Sequence, residues 1–301
     1  MSKRSIIHMI NPMKHNSPFD INMALDAGYD VIMPYTHVEL DEVADLTQDA
    51  IFSRGPSGVK KTGMFIGGRD IGVAMDMLDA AKKAMVPPFE ISVMADPSGA
   101  FTTAAALVAC VERELKSKFD QTYKNTQAVV FGGTGPVGIA TAVIAALQGA
   151  KTTIVDHFSL DTALEFAEEA KRRYGVDLRG TTAASDADKA RLLANADVVF
   201  CTAKAGIQVL NASVLEDAKK LKVAGDVNAV SPLGIEGIKM MDFGAPLELA
   251  KNSPNAVGIG ALAVGDIKYK LQQALLRETL ESEKPVYLDF RNAFEGARKL
   301  V

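Results

Sequence analysis

The sequence is short of the residues from which most metal sites and many catalytic sites are built. It contains two cysteines and four histidines in 301 residues. No H-x-x-x-H or C-x-x-C pattern occurs, so no metal site is expected. Cys110 and Cys201 both lie in apolar runs, which predicts buried free thiols in a reducing compartment.

Charge and hydropathy argue against two broad classes of protein. The formal net charge of −4 is unsuited to a general nucleic-acid binder. No apolar run is long enough to span a membrane, and the run after Arg4 is too short for a signal peptide. We therefore expect a cytoplasmic protein without nucleic-acid or membrane partners.

Short β-type runs alternate with longer helical patterns, which predicts parallel strands joined by crossover helices. The predicted strands are Ser5–Ile10, Val31–Tyr35, Thr62–Ile66, Ile91–Ala95, Gln127–Phe131, Thr152–Val155, Val176–Arg179, Asp197–Thr202, Lys222–Asp226 and Val257–Ile259. The predicted helices are Pro18–Ala27, Leu40–Phe52, Ile71–Met85, Thr102–Lys118, Pro136–Leu147, Asp161–Arg173, Ala187–Leu193, Asp266–Leu280 and Leu288–Lys299.

This pattern predicts an α/β protein with two lobes and a cleft between them. The polar stretch Phe119–Thr126 is interpreted as a linker. Residues 1–124 would form a parallel-sheet substrate and oligomerisation domain, which residues 266–301 rejoin as C-terminal helices. Residues 125–265 would form a Rossmann-type dinucleotide-binding domain.

A glycine-rich turn opens the second domain. Gly133, Gly135 and Gly138 form G-x-G-x-x-G between a β-type run and a helix, which is the context that dinucleotide binding requires. Gly133 would permit the tight turn, Gly135 the approach of a pyrophosphate, and Gly138 close helix packing. The remaining predicted cofactor contacts in this turn are Thr134, Pro136 and Val137.

Asp156 ends the next strand, about twenty residues beyond the glycines. A carboxylate there can accept hydrogen bonds from the adenosine ribose and would repel a 2′-phosphate. NAD is therefore expected in preference to NADP, although His157 could assist a phosphate if protonated. The alternative is that the glycines only make a turn and Asp156 only caps the next element.

Three further loops follow predicted strands, where ligands gather in doubly wound sheets. The predicted cofactor contacts in them are Ala203, Lys204, Asn228, Ala229, Gly258 and Gly260. For each of these three loops, an ordinary connection from strand to helix that binds no ligand is an equal alternative.

The sequence offers few groups that could act as a general base. Among the histidines only His15 lies in a loop at the carboxyl end of a predicted strand. This scarcity fits a substrate that loses hydride without a proton, such as a methylene carbon between two nitrogens. The enzyme would then need positioning and nearby negative charge.

Two acidic residues could supply that charge. Asp20 follows the loop that contains His15, and Asp96 follows another predicted strand. Ser17, Pro18 and Asp20 also fit the start of a helix, so a capping role for Asp20 is an equal alternative. Asp96 could likewise only initiate a turn before Pro97. Lys268 lies in a helical pattern, where lysines are mostly solvated.

Several motifs give the chain a resemblance to a known family. They include Lys14-His15-Asn16-Ser17-Pro18-Phe19-Asp20, Phe65-Ile66-Gly67-Gly68, Asp96-Pro97-Ser98-Gly99, Phe131-Gly132-Gly133-Thr134-Gly135, Asp226-Val227-Asn228-Ala229 and Gly258-Ile259-Gly260. In order and spacing they resemble the bacterial methylene-tetrahydromethanopterin dehydrogenases of one-carbon metabolism and methylotrophy, especially the type that accepts both NAD and NADP.

The resemblance implies hydride transfer from methylene-tetrahydromethanopterin to NAD or NADP, and a homotrimer or homohexamer. It implies a catalytic role for Asp20 and Lys268. It also implies a substrate pocket whose lining includes Lys14, Phe19, Asp96, Ser98 and Thr102. We add His15 to this lining from its position in the loop.

Two other functions remain possible at this point. Methylene-tetrahydrofolate dehydrogenases share the hydride chemistry, but their bifunctional members carry Tyr-x-x-x-Lys. Tyr29 and Tyr35 are followed four residues later by Met33 and Glu39. A non-catalytic dinucleotide sensor would need the glycine turn but not the loops of the first domain.

Overall fold

The computed structural model describes residues 3–301, which divide into two compact units. One unit comprises the chain up to Thr102 together with Tyr269–Gly296, and the other comprises Thr103–Lys268 and Ala297–Val301. The boundary falls at Thr102 and not near residue 124, because most of the long helix that begins at Ala100 packs with the second unit. Which unit holds which ligand stays a prediction.

Strands and helices alternate along both units. The strands are β1 (Ile6–Ile10), β2 (Val31–Tyr35), β3 (Thr62–Ile66), β4 (Ser92–Ala95), β5 (Gln127–Phe131), β6 (Lys151–Asp156), β7 (Leu178–Thr182), β8 (Val198–Cys201), β9 (Val223–Asp226), β10 (Phe243–Pro246), β11 (Val257–Ile259) and β12 (Tyr287–Leu288). The helices are α1 (Pro18–Asp26), α2 (Val43–Phe52), α3 (Gly55–Val59), α4 (Ile71–Lys83), α5 (Ala100–Phe119), α6 (Pro136–Leu147), α7 (Leu160–Tyr174), α8 (Asp186–Leu193), α9 (Ala212–Glu216), α10 (Ala261–Glu281) and α11 (Phe290–Arg298).

The sheet of the first unit is parallel throughout, with strand order β12-β4-β3-β1-β2. The central strand β3 and its neighbour β4 are buried along their whole length, as expected of a parallel sheet covered on both faces. Because all strands run the same way, the loops after β1, β3 and β4 meet at one edge.

The sheet of the second unit has the order β10-β11-β9-β8-β5-β6-β7. All pairs in it are parallel except β10 with β11. Since the chain leaves β5 for β6 on one side and later returns to β8 on the other, β5 and β8 flank the switch point of this doubly wound sheet. The α/β class with two lobes, a Rossmann-type unit and C-terminal helices that rejoin the first unit is confirmed.

Three strands differ from the sequence predictions by more than one residue at an end. β10 and β12 were not predicted, because β12 has two residues and β10 contains Gly244 and Pro246, which normally interrupt strands. β7 runs from Leu178 to Thr182, so the prediction of Val176–Arg179 began and ended too early. Its partly exposed pattern carries little hydrophobic signal.

Aromatic contacts and buried thiols lie in the cores. The rings of Phe101 and Phe290 meet edge to face at 5.5 Å in the first unit. In the second unit Tyr123 is fully buried and donates a hydrogen bond to the carbonyl of Val108.

Cys110 and Cys201 are both buried and free, as predicted. Burial raises the pKa of the Cys110 thiol to about 12, so this thiol is unreactive.

Candidate functional site

The turn between β5 and α6 is a tight connection in which glycine is required at several positions. Gly132 has φ of +71°, a left-handed conformation that strains other residues. A Cβ at Gly138 would lie 2.1 Å from the carbonyl oxygen of Gly132. The predicted role of Gly138 in close packing is therefore confirmed.

The two adjacent glycines of this turn differ in what they contribute. The left-handed residue is Gly132, whereas the φ of Gly133 is not positive. Gly133 must lack a side chain for a different reason, because a Cβ there would lie 2.7 Å from Cβ of Ile154 on the neighbouring strand.

The start of α6 has the features of an anion-binding helix terminus. Gly135 occupies the N-cap position with extended backbone and Pro136 is the first helical residue. Gly135 has no side chain that could cap the helix, so the N–H groups of the first turn, including that of Val137, are left for an external acceptor. A pyrophosphate fits this terminus.

Asp156 lies beside the turn, as the motif predicts. Thr134 donates its hydroxyl hydrogen to Oδ2 of Asp156 over 2.5 Å, while the N–H groups of Phe158 and Ser159 bind Oδ1 over 2.8 and 2.9 Å. Partial burial raises the pKa of the Asp156 carboxyl, but these hydrogen bonds outweigh burial and leave the pKa below its ordinary value. Asp156 is therefore ionised at neutral pH. The adjacent His157 is exposed.

The buried side-chain amide of Asn228 connects the loops after β8 and β9 by hydrogen bonds. Oδ1 of Asn228 accepts the N–H groups of Gly206 and Val230 over 3.0 and 2.9 Å, and its Nδ2 donates to the carbonyl of Pro232. Asn228 therefore shapes these loops, on which Ala203, Lys204 and Ala229 lie. Whether any of these residues contacts the cofactor stays a prediction.

Packing explains the two glycines near the end of β11. A Cβ at Gly258 would lie 2.8 Å from Ile238, and one at Gly260 would lie 2.0 Å from the carbonyl oxygen of Lys239. Protein atoms therefore occupy the space that a side chain would need at either position. A direct role for these glycines in cofactor binding stays a prediction.

A cavity of about 350 Å³ opens at the carboxyl edge of the first unit's sheet. Its lining combines residues from the loops after β1, β3 and β4: Asn11, Met13, Lys14, His15, Asn16, Ser17, Pro18, Asp20, Gly68, Arg69 and Ser98. Buried Asn11 shapes the first loop, because its Nδ2 donates to the carbonyl of His15 and its Oδ1 accepts the N–H of Met13. The structure thus brings together Lys14, His15, Asp20 and Ser98 of the predicted site.

Arg69 is a basic residue of this cavity that the sequence analysis missed. It is exposed, as are Lys14 and His15, and it follows Gly68, whose φ of +110° turns the chain. Ser98 donates its hydroxyl hydrogen to the carbonyl of Gly68 over 2.7 Å and so holds two of the loops together. The sequence signal that could have pointed to this loop is the glycine pair Gly67-Gly68, which directly precedes Arg69.

Asp20 is buried and is not part of a capping box. Ser17 stands at the N-cap and Pro18 at the first helical position, but the side chain of Ser17 makes no capping hydrogen bond. The Asp20 carboxylate instead accepts a hydrogen bond at Oδ1 from Nε2 of Gln272 over 2.7 Å. The capping alternative is therefore wrong. Gln272 is a second residue that the sequence analysis missed.

The carboxylate of Asp96 is engaged with the start of α5. Its Oδ1 accepts the N–H groups of Phe101 and Thr102, and its Oδ2 accepts the hydroxyl of Thr102 over 2.6 Å. Asp96 and Thr102 are both fully buried. The structure thus gives both residues a part in forming the helix, and their contact with substrate stays a prediction.

Two predicted site residues, Phe19 and Lys268, are not among the residues that line this cavity. Phe19 exposes 46% of its surface on α1, which suits an apolar ligand face. Lys268 is half-buried on α10 and belongs to the second unit. Its catalytic role stays a prediction.

Sequence comparison identifies the family. A family model described as methylene-tetrahydromethanopterin dehydrogenase, N-terminal, matches residues 18–98. The chain is 47% identical over 298 residues to NAD(P)-dependent methylenetetrahydromethanopterin dehydrogenase of Methylorubrum extorquens, covering 99% of each chain. This chain belongs to the methylene-tetrahydromethanopterin dehydrogenase family. The resemblance predicted from the motifs is confirmed.

A second relative and a solved structure extend this result. The chain is 32% identical over 285 residues to the bifunctional protein MdtA of the same organism, covering 95% of each chain. Quinate dehydrogenase from Corynebacterium glutamicum in complex with NAD is 14% identical with a TM-score of 0.55, covering 97% of this chain and 98% of that one. At this identity the structural match shows only that the two chains share a fold.

Two further properties concern metals and membranes. In residues 3–301 no group of three or more His, Cys, Asp or Glu side chains is placed to hold a metal ion. Within the same range, no helix has both the length and the apolar character needed to cross a bilayer.

Proposed function

We propose that the chain oxidises methylene-tetrahydromethanopterin to methenyl-tetrahydromethanopterin by transferring hydride to NAD or NADP. The observation that carries this proposal is 47% identity, over nearly the whole of both chains, to an enzyme named for that activity. The geometry of both units supports it independently.

The reaction suits a protein with few general bases. The carbon that loses hydride lies between two nitrogens, and both stabilise the resulting amidinium-like cation. The protein therefore has to position its ligands and place negative charge near the cation, and it does not have to remove a proton.

The second unit has the residues to hold a nicotinamide dinucleotide, which when bound supplies the hydride acceptor. The start of α6 would bind the pyrophosphate, since no side chain caps its first-turn N–H groups and Gly135 allows close approach. Asp156 would accept hydrogen bonds from the ribose hydroxyls, because an ionised carboxylate has lone pairs beyond the three hydrogen bonds seen here.

NAD is favoured over NADP by the same carboxylate. The ionised Asp156 would repel a ribose 2′-phosphate. The three residues that follow it are His157, Phe158 and Ser159, so no arginine or lysine stands there to bind a phosphate. Only a protonated His157 would offset the repulsion, which leaves NADP as the weaker cofactor.

The first unit has a cavity suited to the pterin. Asp20 places a carboxylate in it, and this charge would stabilise the cation that forms when hydride leaves. Lys14, His15 and Arg69 surround the cavity with donors that could bind polar groups of the substrate. Phe19 would add an apolar surface.

We also propose that the chain forms a homotrimer or homohexamer, which the resemblance supports, and that it is cytoplasmic, which its sequence led us to expect. Size-exclusion chromatography with light scattering tests the assembly, and a monomer in solution would remove this part of the proposal.

The function is tested by a spectrophotometric assay of the purified protein. Methylene-tetrahydromethanopterin and methylene-tetrahydrofolate are each supplied with NAD and with NADP, and the appearance of the reduced nicotinamide is followed. We expect turnover with the methanopterin substrate and a higher kcat/KM with NAD than with NADP. Turnover with the folate substrate alone would replace the proposal with the folate activity, and no turnover with any pair would favour a sensor.

A further inference from the structure

A buried carboxylate lies at the end of β9, and the function proposed above does not use it. Asp226 is 1% exposed. Its Oδ1 accepts the N–H of Asn228 over 2.9 Å, and its Oδ2 accepts the N–H of Ile235 over 3.0 Å. These two residues stand near the opposite ends of the loop that follows β9, residues 227–235. One side chain therefore fixes both ends of this loop.

The loop after β9 is joined to the segment after β8 near the same two points. At the first, Oδ1 of Asn228 accepts the N–H of Gly206 over 3.0 Å. At the second, the carbonyl of Gly234 accepts the N–H groups of Val209 and Leu210 over 2.8 and 3.0 Å. Both junctions thus lie beside a hydrogen bond that the buried carboxylate accepts, and the carboxylate supports both.

The surroundings of this carboxylate leave it little freedom to move. A Cβ at Gly234 would lie 2.5 Å from Sγ of Cys201 and 2.7 Å from Oδ1 of Asp226, so the loop approaches the ends of both strands closely. Burial raises the pKa of the Asp226 carboxyl, while hydrogen bonds from the N–H groups of Asn228, Gly234 and Ile235 and from the Cys201 thiol oppose this rise. Any movement would leave a buried acceptor and buried donors without partners, which costs free energy.

The two loops that Asp226 supports lie where the cofactor is expected. They follow β8 and β9 at the carboxyl edge of the sheet, and β8 flanks the switch point at which ligands bind in doubly wound sheets. Asp156 and the start of α6, assigned above to the ribose and the pyrophosphate, follow β6 and β5 on the other side of the switch point. The loops after β8 and β9 are therefore left for the nicotinamide end. Ile207 and Val230 expose 49% and 53% of their surface in these loops, which suits a flat ring.

We propose that Asp226 is a positioning residue that holds the loops after β8 and β9 in the shape that receives the nicotinamide end of the cofactor. This inference rests on the proposed function, in which the second unit binds NAD or NADP. Because Asp226 is buried, it acts through the two loops and need not touch the cofactor.

The first test replaces Asp226 by asparagine, which has nearly the same shape but presents N–H hydrogens in place of one acceptor oxygen. Isothermal titration calorimetry measures the binding of NADH and of ADP, which lacks the nicotinamide and its ribose. We expect the Kd for NADH to rise about tenfold or more, the equivalent of losing a hydrogen bond to a charged group, and the Kd for ADP to change less than about twofold. A merely structural role would weaken both together, so equal losses, or wild-type binding of NADH, would overturn the proposal.

Asp197→Asn is the matched control, because Asp197 is a carboxylate at the opposite edge of the same sheet. It accepts the N–H of Gln127 at Oδ2 over 2.9 Å and the ammonium group of Lys222 at Oδ1 over 2.7 Å. Its replacement should lower stability and leave both Kd values as in the wild type. If the Kd for NADH rose as much in this variant as in Asp226→Asn, the effect would be a general loss of stability and the proposal would be wrong.

A second variant guards against a failure of Asp226→Asn to fold. In Asp226→Ser the hydroxyl keeps one acceptor and places no amide N–H against the N–H groups of the loop. It should show the same selective loss of NADH affinity. A Kd for NADH that stays at the wild-type value in Asp226→Ser would also overturn the proposal.

Hydrogen exchange followed by mass spectrometry tests the geometry without any ligand. Amides of residues 203–210 and 227–235 should exchange faster in Asp226→Asn than in the wild type, while residues 134–139 of the glycine turn and α6 should keep their rates. Unchanged exchange in the two loops, or faster exchange everywhere, would contradict the proposal.

The binding measurements also separate this inference from the proposed function, because they need no pterin. If the wild type does not oxidise methylene-tetrahydromethanopterin but Asp226→Asn selectively loses NADH affinity, the proposed function fails and the inference stands. If the wild type is active and Asp226→Asn binds NADH normally, the proposed function stands and the inference is wrong.

Discussion

Thr134 and Asp156 are joined by a hydrogen bond of 2.5 Å between the hydroxyl of one and Oδ2 of the other. This bond links the glycine turn after β5 to the end of β6, so the groups expected to bind pyrophosphate and ribose hold each other in place. The binding of NAD and its preference over NADP can therefore be tested by substitutions at Asp156 and at Thr134.

Replacing Asp156 by serine should change the cofactor preference. We expect kcat/KM with NAD to fall about tenfold or more, because a hydrogen bond to a charged acceptor is lost, and use of NADP to improve relative to NAD as the repulsion disappears. Steady-state kinetics with both nicotinamides measures the ratio. Asp161→Ser, on the exposed first turn of α7, is the matched control. An unchanged ratio in Asp156→Ser would show that Asp156 does not contact the ribose.

Replacing Thr134 by valine should shift the pH dependence of NAD binding. Hydrogen bonds, including that from Thr134, hold the pKa of Asp156 below its ordinary value, so NAD binding in the wild type should weaken only as pH falls through this lowered pKa. Valine removes a bond to the charged form, which raises the pKa and moves the loss of binding to higher pH. KM for NAD measured across acidic pH checks this, with exposed Thr122→Val as the control. Coincident profiles for the Thr134 variant and the wild type would contradict it.

Removing either predicted catalytic side chain should lower turnover without unfolding the protein. Asp20→Ala removes the negative charge that the cation would need, and Lys268→Ala removes a half-buried cation from α10. We expect kcat to fall about tenfold or more in each, with an unchanged circular dichroism spectrum. Asp26→Ala and Lys270→Ala, exposed on the same two helices, are the respective controls. Wild-type kinetics in either variant would remove that residue from the site.

Two glycine-to-alanine changes should have opposite effects on stability. At Gly138 the new methyl group would lie 2.1 Å from a backbone oxygen, so the turn must shift; we expect a loss of about 1–3 kcal/mol in the free energy of unfolding and a higher KM for NAD. At Gly265, within α10, nothing lies within 4 Å of the added group, and alanine should stabilise the helix by about 1 kcal/mol. Urea denaturation measures both, and a stable Gly138→Ala with normal KM would be inconsistent with the tight turn described here.

The dinucleotide turn could be predicted from the sequence because its signals are local. The strand Gln127–Phe131 and the helix Pro136–Leu147 were predicted with the observed bounds, since glycine and proline mark the turn between them. The sequence analysis attributed the tight turn to Gly133, whereas the left-handed residue of the turn is Gly132. Sequence spacing alone could not show that Gly132 turns the chain while Gly133 makes room for Ile154.

The substrate cavity was only partly predictable, because its contacts join distant parts of the chain. Asp20 looked like a capping residue beside Ser17, and no local pattern points to Gln272, 252 residues later. Arg69 enters the cavity only because the loops after β1 and β3 meet at one sheet edge. The buried hydrogen bonds that Asp96 accepts from α5 could not be predicted either, because the motif Asp96-Pro97-Ser98-Gly99 also suits a ligand-binding loop.

The central claim, that hydride passes from the substrate carbon to the nicotinamide with no base involved, can be tested by following a label. Methylene-tetrahydromethanopterin carrying deuterium on the methylene carbon is incubated with the protein and NAD in ordinary water, and the reduced nicotinamide is analysed by proton NMR. The account predicts deuterium at the carbon of the nicotinamide ring that accepts hydride. Reduced nicotinamide without deuterium, with the label lost to water, would contradict it.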